Sequence, residues 1–233
     1  MSKRIVISLA TMLALASTAY AADTNSTEPT VEATQASTEQ VPTINSHANG
    51  WYVGLGYGMT GFSDGDFGKE FDNFKVEPDN NTNSGLKIYG GYKFNKIVGV
   101  EGSYVNYGTM DFKYTENGTG TATKIKPSSL NVAANLGYDF LNDQLRPFAL
   151  AGLGYVNYNQ SGVQKLYTTD GSFATVVGVG IEYTPILFQG VGFRLSYEST
   201  ITAVTMEYAD VTKDNKAFVQ SFNMLALSAQ YRF

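Results

Sequence analysis

The feature that most constrains the fold is an alternation of period two that repeats eight times after Gly50, with no helical period in between. The first run, WYVGLGYGM, places its large apolar residues on one face and three glycines on the other. Each run has the roughly 9–13 residues of a long, half-buried strand. The pattern predicts an all-β chain whose strands are 51–59, 85–94, 97–108, 129–140, 148–158, 173–183, 190–199 and 222–233.

The connections between these runs alternate between long and short. Residues 60–84, 108–128, 159–172 and 200–219 form long connections, whereas Asn95-Lys96, Asn142-Asp143-Gln144 and 184–189 form short turns. An even number of antiparallel strands with this alternation is typical of outer-membrane barrels, which have long outer loops and short periplasmic turns. The sequence therefore predicts an eight-stranded antiparallel up-and-down transmembrane β-barrel over residues 50–233, with both ends on the periplasmic side.

The two faces of the strands distinguish this barrel from a soluble one. A soluble eight-stranded barrel would have a charged exterior, but here the bulky face carries almost no charge and the other face is mostly Gly, Ala, Ser and Asn. An eight-stranded interior is narrow, so the bulky face is predicted to meet lipid. Aromatic residues near the strand ends predict interfacial girdles. These are Trp51, Tyr92, Phe94, Phe140, Tyr183, Phe193, Tyr231 and Phe233 at one end and Tyr57, Tyr104, Tyr155 and Tyr197 at the other.

The segment before the first run has two parts. Residues 1–21 have a basic start, an apolar run and an Ala19-x-Ala21 end, which predict a secretory signal peptide. Residues 22–49 are rich in Ser, Thr, Glu and Pro and contain few large apolar residues, so we expect a disordered periplasmic leader. The domain organisation is thus signal peptide 1–21, leader 22–49 and barrel 50–233.

Several chemistries are disfavoured by composition. The chain has no cysteine and a single histidine, His47, in the predicted leader, which argues against a zinc site, thiol catalysis and a Ser-His-Asp triad. The net charge of −5 argues against nucleic acid as a partner. We expect no catalytic residues, no enzyme activity, no cofactor and no metal. The acidic residues of the first long loop lack the spacing of an EF-hand; they are Asp64, Asp66, Glu70 and Asp72.

The chain resembles the OmpA-type, opacity-like family of eight-stranded outer-membrane barrels. The resemblance covers residues 50–233, the transmembrane domain only, and rests on VGVEGSY, NLGYDF, VGIEY, FRLSY and the C-terminal YRF. It implies that Tyr231 and Phe233 form the signal read by the barrel-assembly machinery. It also implies the outer membrane of a Gram-negative bacterium, contact with its lipid and lipopolysaccharide, and a monomeric, porin-like surface protein.

The inward face also carries charged residues. The alternation places Glu101 beside Gly99 and Ser103 on the narrow side of the barrel, and the resemblance implies a central cluster containing Glu101, Glu182 and Arg194. Asn135 stands where the family has a lysine, for which Lys93 or Lys87 is expected to compensate. The inward charges are predicted to balance, four against four: Lys87, Lys93, Arg194 and Arg232 with Glu101, Asp139, Glu182 and Glu198.

Two functions are compatible with this pattern. In one, the inward charges fill and stiffen the lumen, and the barrel presents long loops for surface interaction or adhesion, with a host or surface ligand as a possible partner. In the other, a Glu101–Arg194 pair opens to form a narrow, weakly conducting pore. The sequence favours the filled lumen, because side chains block most of an eight-stranded interior.

Overall fold

The computed structural model describes residues 49–63, 77–78, 83–116, 119–141, 143–161, 167, 169–188, 190–205 and 217–233. The predicted signal peptide and nearly all of the predicted leader lie outside these ranges, as do His47 and the acidic residues of the first long loop. Within the described ranges, no helix has the length and apolar character needed to cross a membrane.

Eight long antiparallel strands close into a barrel, as the sequence predicts. Each strand pairs with its neighbour along the chain, and the first pairs with the last to complete the ring, so no edge of this sheet remains open. The barrel strands are β1 (Gly50–Ser63), β3 (Asn83–Lys93), β4 (Val98–Asn106), β7 (Ser128–Gly137), β8 (Leu145–Asn157), β10 (Gly171–Tyr183), β11 (Val191–Thr205) and β12 (Ala217–Arg232).

A second, four-stranded sheet forms from three of the long connections, which the sequence predicted as plain loops. Its strands are β2 (Glu77–Pro78), β5 (Met110–Glu116), β6 (Thr119–Ile125) and β9 (Gln160–Ser161), in the order β2-β5-β6-β9. All four belong to the end of the barrel that carries the long connections, here called the loop end. The opposite end is called the turn end. It carries turns 94–97, 138–144 and 184–190, the start of β1 and the end of β12.

The strand boundaries differ from prediction mainly in length. Strands β11 and β12 continue beyond the predicted runs by several residues toward the loop end, to Thr205 and from Ala217, because their outer segments pair with each other. Strand β8 begins at Leu145 rather than at residue 148. This earlier start brings Arg146, which lies outside the predicted strand, into the barrel.

The bulky face points outward on most barrel strands, as predicted; in the first half of β8, however, Phe148 and Leu150 are buried in the lumen. Along β1, Trp51, Val53, Leu55, Tyr57 and Met59 are all exposed, and Val98, Val100 and Tyr104 are exposed along β4. At the turn end, aromatic rings touch edge to face, which is the arrangement expected of an interfacial girdle. The contacting pairs are Trp51–Tyr92, Tyr92–Phe94, Tyr138–Phe140 and Tyr231–Phe233, with ring centroids about 5 Å apart.

Candidate functional site

The lumen holds a layer of charged side chains in its turn-end half. We call this the charge layer and define it as Lys87, Lys93, Glu101, Asp139, Arg146, Glu182, Arg194, Glu198 and Arg232. Their places follow from the strand alternation, which points every second residue inward. Ionised groups this deeply buried need partners, because transfer out of water is unfavourable for an isolated charge.

Glu101 is the centre of the layer and is 3 % exposed. One carboxylate oxygen accepts hydrogen bonds from Arg194 Nη1 at 2.7 Å, Tyr52 Oη at 2.9 Å and Asn135 Nδ2 at 3.2 Å. The other accepts from Lys87 Nζ at 3.1 Å. The contacts come from β1, β3, β7 and β11, so this one carboxylate ties together strands on several sides of the barrel.

Of the two lysines expected to compensate for Asn135, Lys87 is the one that reaches Glu101. Its Nζ lies 3.1 Å from Glu101 and 2.6 Å from Glu198, so it bridges two carboxylates. Lys93 lies nearer the turn end and pairs instead with Glu182, at 2.7 Å. Lys87 is therefore the residue that accompanies Asn135 at the carboxylate of Glu101.

Glu182 forms the second centre, closer to the turn end. Besides Lys93, its carboxylate lies 3.6 Å from Arg146 Nη1 and 3.8 Å from Arg232 Nη2. Arg146 also donates to the Asn135 side-chain oxygen at 2.8 Å and so connects the two centres. With Arg146 included, the described charge layer has five basic and four acidic residues, rather than the balanced four and four predicted.

Aromatic rings flank the charges. The guanidinium carbon of Arg194 lies 4.0 Å from the Phe148 ring centroid and 4.6 Å from that of Tyr89, distances at which a cation is attracted to a ring face. Glycines on facing strands make room for these groups. A methyl group at Gly91 would overlap the Val100 carbonyl oxygen and the Tyr52 hydroxyl, and one at Gly180 would overlap the Phe148 ring.

A second layer lies on the loop-end side of the charges and is apolar. We call it the apolar layer and define it as Val105, Tyr107, Met110, Ile125, Val156, Tyr158, Tyr167, Ala174, Phe222, Met224 and Ala226, all of which are buried. Phe222 on β12 contacts Tyr107 beyond β4 and Tyr158 beyond β8, with ring centroids 5.4 and 6.2 Å away. The layer therefore spans the lumen. Bulky inward residues here were not predicted, since the interior was expected to be small and polar.

Tyr167 joins the apolar layer from a connection rather than from a barrel strand. Its ring stacks on Tyr158 at 4.3 Å, and its hydroxyl donates to Gln220 Oε1 at 2.9 Å. The side-chain amide of Gln160 holds its main chain on both sides, accepting from the Tyr167 N–H at 2.9 Å and donating to the carbonyl at 3.1 Å. Burial raises the pKa of the Tyr167 hydroxyl, so it remains a hydrogen-bond donor.

The remaining predicted positions lie at the turn end. Tyr231 and Phe233 stack edge to face with centroids 5.1 Å apart and are 47 % and 65 % exposed on the outer surface. Among the described residues, no group of three or more His, Cys, Asp or Glu is arranged to hold a metal ion.

Comparison with solved structures supports the fold. The outer membrane protein OprG of Pseudomonas aeruginosa matches with a TM-score of 0.53 and 14 % identity, over 79 % of this chain and 97 % of OprG. Neisserial surface protein A matches with a TM-score of 0.50 and 16 % identity, over 78 % of this chain and 97 % of the relative. At these identities the likeness concerns the fold.

Comparison of sequences identifies the family. The chain is 27 % identical over 192 residues to outer membrane protein A of Klebsiella pneumoniae, a match that covers 79 % of this chain and 51 % of the relative. The chain thus spans about half the length of that relative. The family model described as "Outer membrane protein beta-barrel domain" matches residues 7–233. The chain therefore belongs to this family of Gram-negative outer-membrane barrels.

Proposed function

We propose that the protein is a non-conducting surface barrel: its lumen is filled for stability, and its loop end interacts with ligands outside the cell. The observation that carries the first part is the network around Glu101, where four side chains from four strands converge on one carboxylate. A second, apolar obstruction lies in series with it. An ion would have to disrupt the ion pairs of the charge layer and then lose its hydration water to pass the apolar layer.

Single-channel recording of refolded protein in planar bilayers tests the closed lumen. We expect no steady openings above the bare-membrane baseline, because both layers are intact. Steady unitary currents from pure, folded protein would contradict the proposal and favour the pore alternative.

The pore alternative has an observation of its own. Lys87 bridges Glu101 and Glu198, so Glu101 would keep one cation if Arg194 moved away. Arg146 Nε, Arg146 Nη2 and Glu182 Oε1 are also buried without a hydrogen bond. Arg146 Nε and Glu182 Oε1 each lie 3.6 Å from an oppositely charged group, so these ion pairs could shorten into hydrogen bonds in a different pairing, which is what a gate requires. Currents that appear only above a threshold voltage or under acidic conditions would favour this alternative.

The proposed interaction surface is the four-stranded sheet at the loop end. It gives three connections a shared, hydrogen-bonded framework, so this part of the loop end has a defined shape. Binding sites are commonly built from connections held on a rigid scaffold. Because Met110 and Ile125 belong to the apolar layer, the hairpin can be shortened between them without removing either.

Adhesion of bacteria that display the protein to cultured epithelial cells tests this surface. Replacing residues 112–123 with a short Gly-Ser link is expected to reduce adhesion. Shortening 206–216 serves as the control, because this connection contributes no strand to the described part of the sheet. Equal adhesion by the parent and by both variants would contradict a role in adhesion.

We also propose that the C-terminal aromatic residues act during assembly rather than in the folded state. Phe233 is 65 % exposed and follows the last barrel strand, so its loss removes little from the lumen. Phe233→Ala is expected to slow insertion by the barrel-assembly machinery in reconstituted membranes but to leave the unfolding midpoint of the inserted barrel nearly unchanged. Ile88→Ala, on the lipid-facing surface of β3, provides the control; equal insertion rates for both variants would contradict the proposal.

A further inference from the structure

Two neighbouring turns at the turn end, β7–β8 and β10–β11, expose bulky apolar side chains. We call these side chains together the apolar rim. Leu187 is 88 % exposed and Leu141 is 68 % exposed, values higher than those of most lipid-facing residues on the strands. Such groups are unfavourable in water, and contiguous exposed apolar surface commonly marks an interaction site. The rim comprises Phe140, Leu141, Ile186, Leu187 and Phe188.

The third turn of the same end has a polar tip, Asn95-Lys96, although the flanking Phe94 and Ile97 are 57 % and 52 % exposed. In turn 94–97, Asn95 Oδ1 accepts hydrogen bonds from the N–H groups of Ile97 and Val98, both at 2.8 Å. Lys96 donates to Asp143 at 3.0 Å, and this hydrogen bond raises the pKa of Lys96. A polar residue that satisfies the backbone is the usual solution for a turn in water. The β10–β11 turn differs, because three apolar residues in succession, Ile186, Leu187 and Phe188, are exposed at its tip. This run points to a different surrounding.

Leu141 adds a second indication that is independent of exposure. Its φ is +50°, in the left-handed region that Gly and Asn tolerate and other residues adopt at a cost. The side chain is largely exposed, so packing within the barrel does not account for a leucine at this position. A bulky apolar residue in an unfavourable backbone conformation is explained if its side chain contacts something outside the chain.

The rim is continuous with the lipid-facing surface. Thr184 N–H donates to the Gln144 carbonyl at 2.7 Å and joins the two turns. Phe140 contacts the ring of Tyr138, an outward girdle residue, with centroids 4.9 Å apart. Directly above the other turn, Tyr183 pairs with Phe193 on the same outward surface. One apolar surface thus runs from the strands around the tips of both turns.

We propose that the apolar rim inserts into the headgroup region of the lipid leaflet at the turn end, with phospholipid as its partner. The headgroup layer on each side of a bilayer is about 5–7 Å thick. The β10–β11 turn stays close to the barrel, because Phe188 N–H donates to the Pro185 carbonyl at 3.2 Å and Val191 N–H to Phe188 at 3.1 Å. Its tip is therefore within reach of this layer. The proposal depends on the membrane barrel and not on the proposed surface function.

Site-directed spin labelling tests the proposal directly, because the chain has no native cysteine. Leu187→Cys, labelled with a nitroxide in vesicles of phosphatidylcholine and phosphatidylglycerol, should collide more with oxygen, which partitions into lipid, than with a water-soluble nickel complex. Leu227→Cys, on the outward face of β12, gives the membrane reference. Lys96→Cys, at the polar tip of turn 94–97, gives the aqueous control, which should show the reverse preference.

A preference at Leu187→Cys equal to that at Lys96→Cys would overturn the proposal. The vesicles contain no other protein, so this result would show that lipid alone does not cover the rim. Measurements are made on the fraction that resists unfolding by SDS without heating, which selects folded barrels. If Leu187→Cys yields too little of that fraction, Leu141→Cys reports on the same rim from the neighbouring turn, with the same two outcomes.

Discussion

At the scale of single residues, Glu101 and Arg194 act as one unit. Glu101 stays charged in the lumen because four donors surround it, and Arg194 donates to it at 2.7 Å. Arg194→Met leaves the carboxylate undercompensated, and breaking a buried pair in this way costs about 3–5 kcal/mol of unfolding free energy. Urea unfolding from lipid vesicles measures this loss.

A double-mutant cycle with Glu101→Gln isolates the pair itself. Because the double variant carries neither charge, we expect it to be less destabilised than the sum of the single variants, with a coupling free energy of about 1–3 kcal/mol. If the two losses of unfolding free energy are additive, the other donors, Lys87, Tyr52 and Asn135, stabilise the Glu101 carboxylate and Arg194 contributes no pairwise term.

The inward glycines give a second prediction at this scale. Gly91→Ala would place its methyl group against the Val100 carbonyl oxygen and the Tyr52 hydroxyl, so it should destabilise the barrel by about 1–3 kcal/mol. Gly102→Ala, on the outward face of the neighbouring strand, is the control for the added methyl group, because the nearest atoms there are 3.9 Å away. Thermal unfolding in detergent should separate the two variants; equal melting temperatures would show that the lumen yields to the added methyl group.

At the scale of elements, Tyr167 shows how a connection contributes to the interior. Tyr167→Ala removes a fully buried ring and should lower the unfolding free energy by about 3–5 kcal/mol. Tyr167→Phe keeps the ring and loses only the hydrogen bond to Gln220, worth about 1 kcal/mol. Chemical unfolding of both variants makes the comparison. Similar losses would assign the stabilisation to the hydroxyl rather than to stacking on Tyr158.

The elements also explain which predictions from sequence failed. The fifth strand was predicted to begin at residue 148, directly after Pro147, and this start left Arg146 out. The strand begins at Leu145, since proline is tolerated near the beginning of a strand. The hairpin of β5 and β6 did have a signal, the dipeptide Asn117-Gly118 between residues of high β propensity. It was overlooked because the long connection was treated as one loop.

At the scale of the whole molecule, period-two alternation was enough to predict the eight strands, their order and their lipid face. It was not enough to predict which charges meet. Lys87 and Lys93 share one face of β3, and whether either reaches Glu101 depends on the stagger of strands around the ring, a property of the closed barrel. The apolar layer was missed for another reason. Phe222 and Met224 lie on the inward register of the last predicted run, but the interior was expected to be small and polar, and Tyr167 enters the layer from outside the runs.

The charge layer and the apolar layer obstruct the lumen one after the other, so we expect that removing either one alone does not open a pore. Arg194→Met loosens the charge layer but leaves the apolar layer intact, and Tyr167→Ala opens the apolar layer but leaves the carboxylates paired. We therefore expect each single variant to remain silent in planar bilayers and the double variant to show small, steady currents. Tyr167→Phe combined with Arg194→Met is the control and should stay silent, since the ring is kept. Currents from Arg194→Met alone would instead identify the charge layer as the sole barrier and support a gated pore.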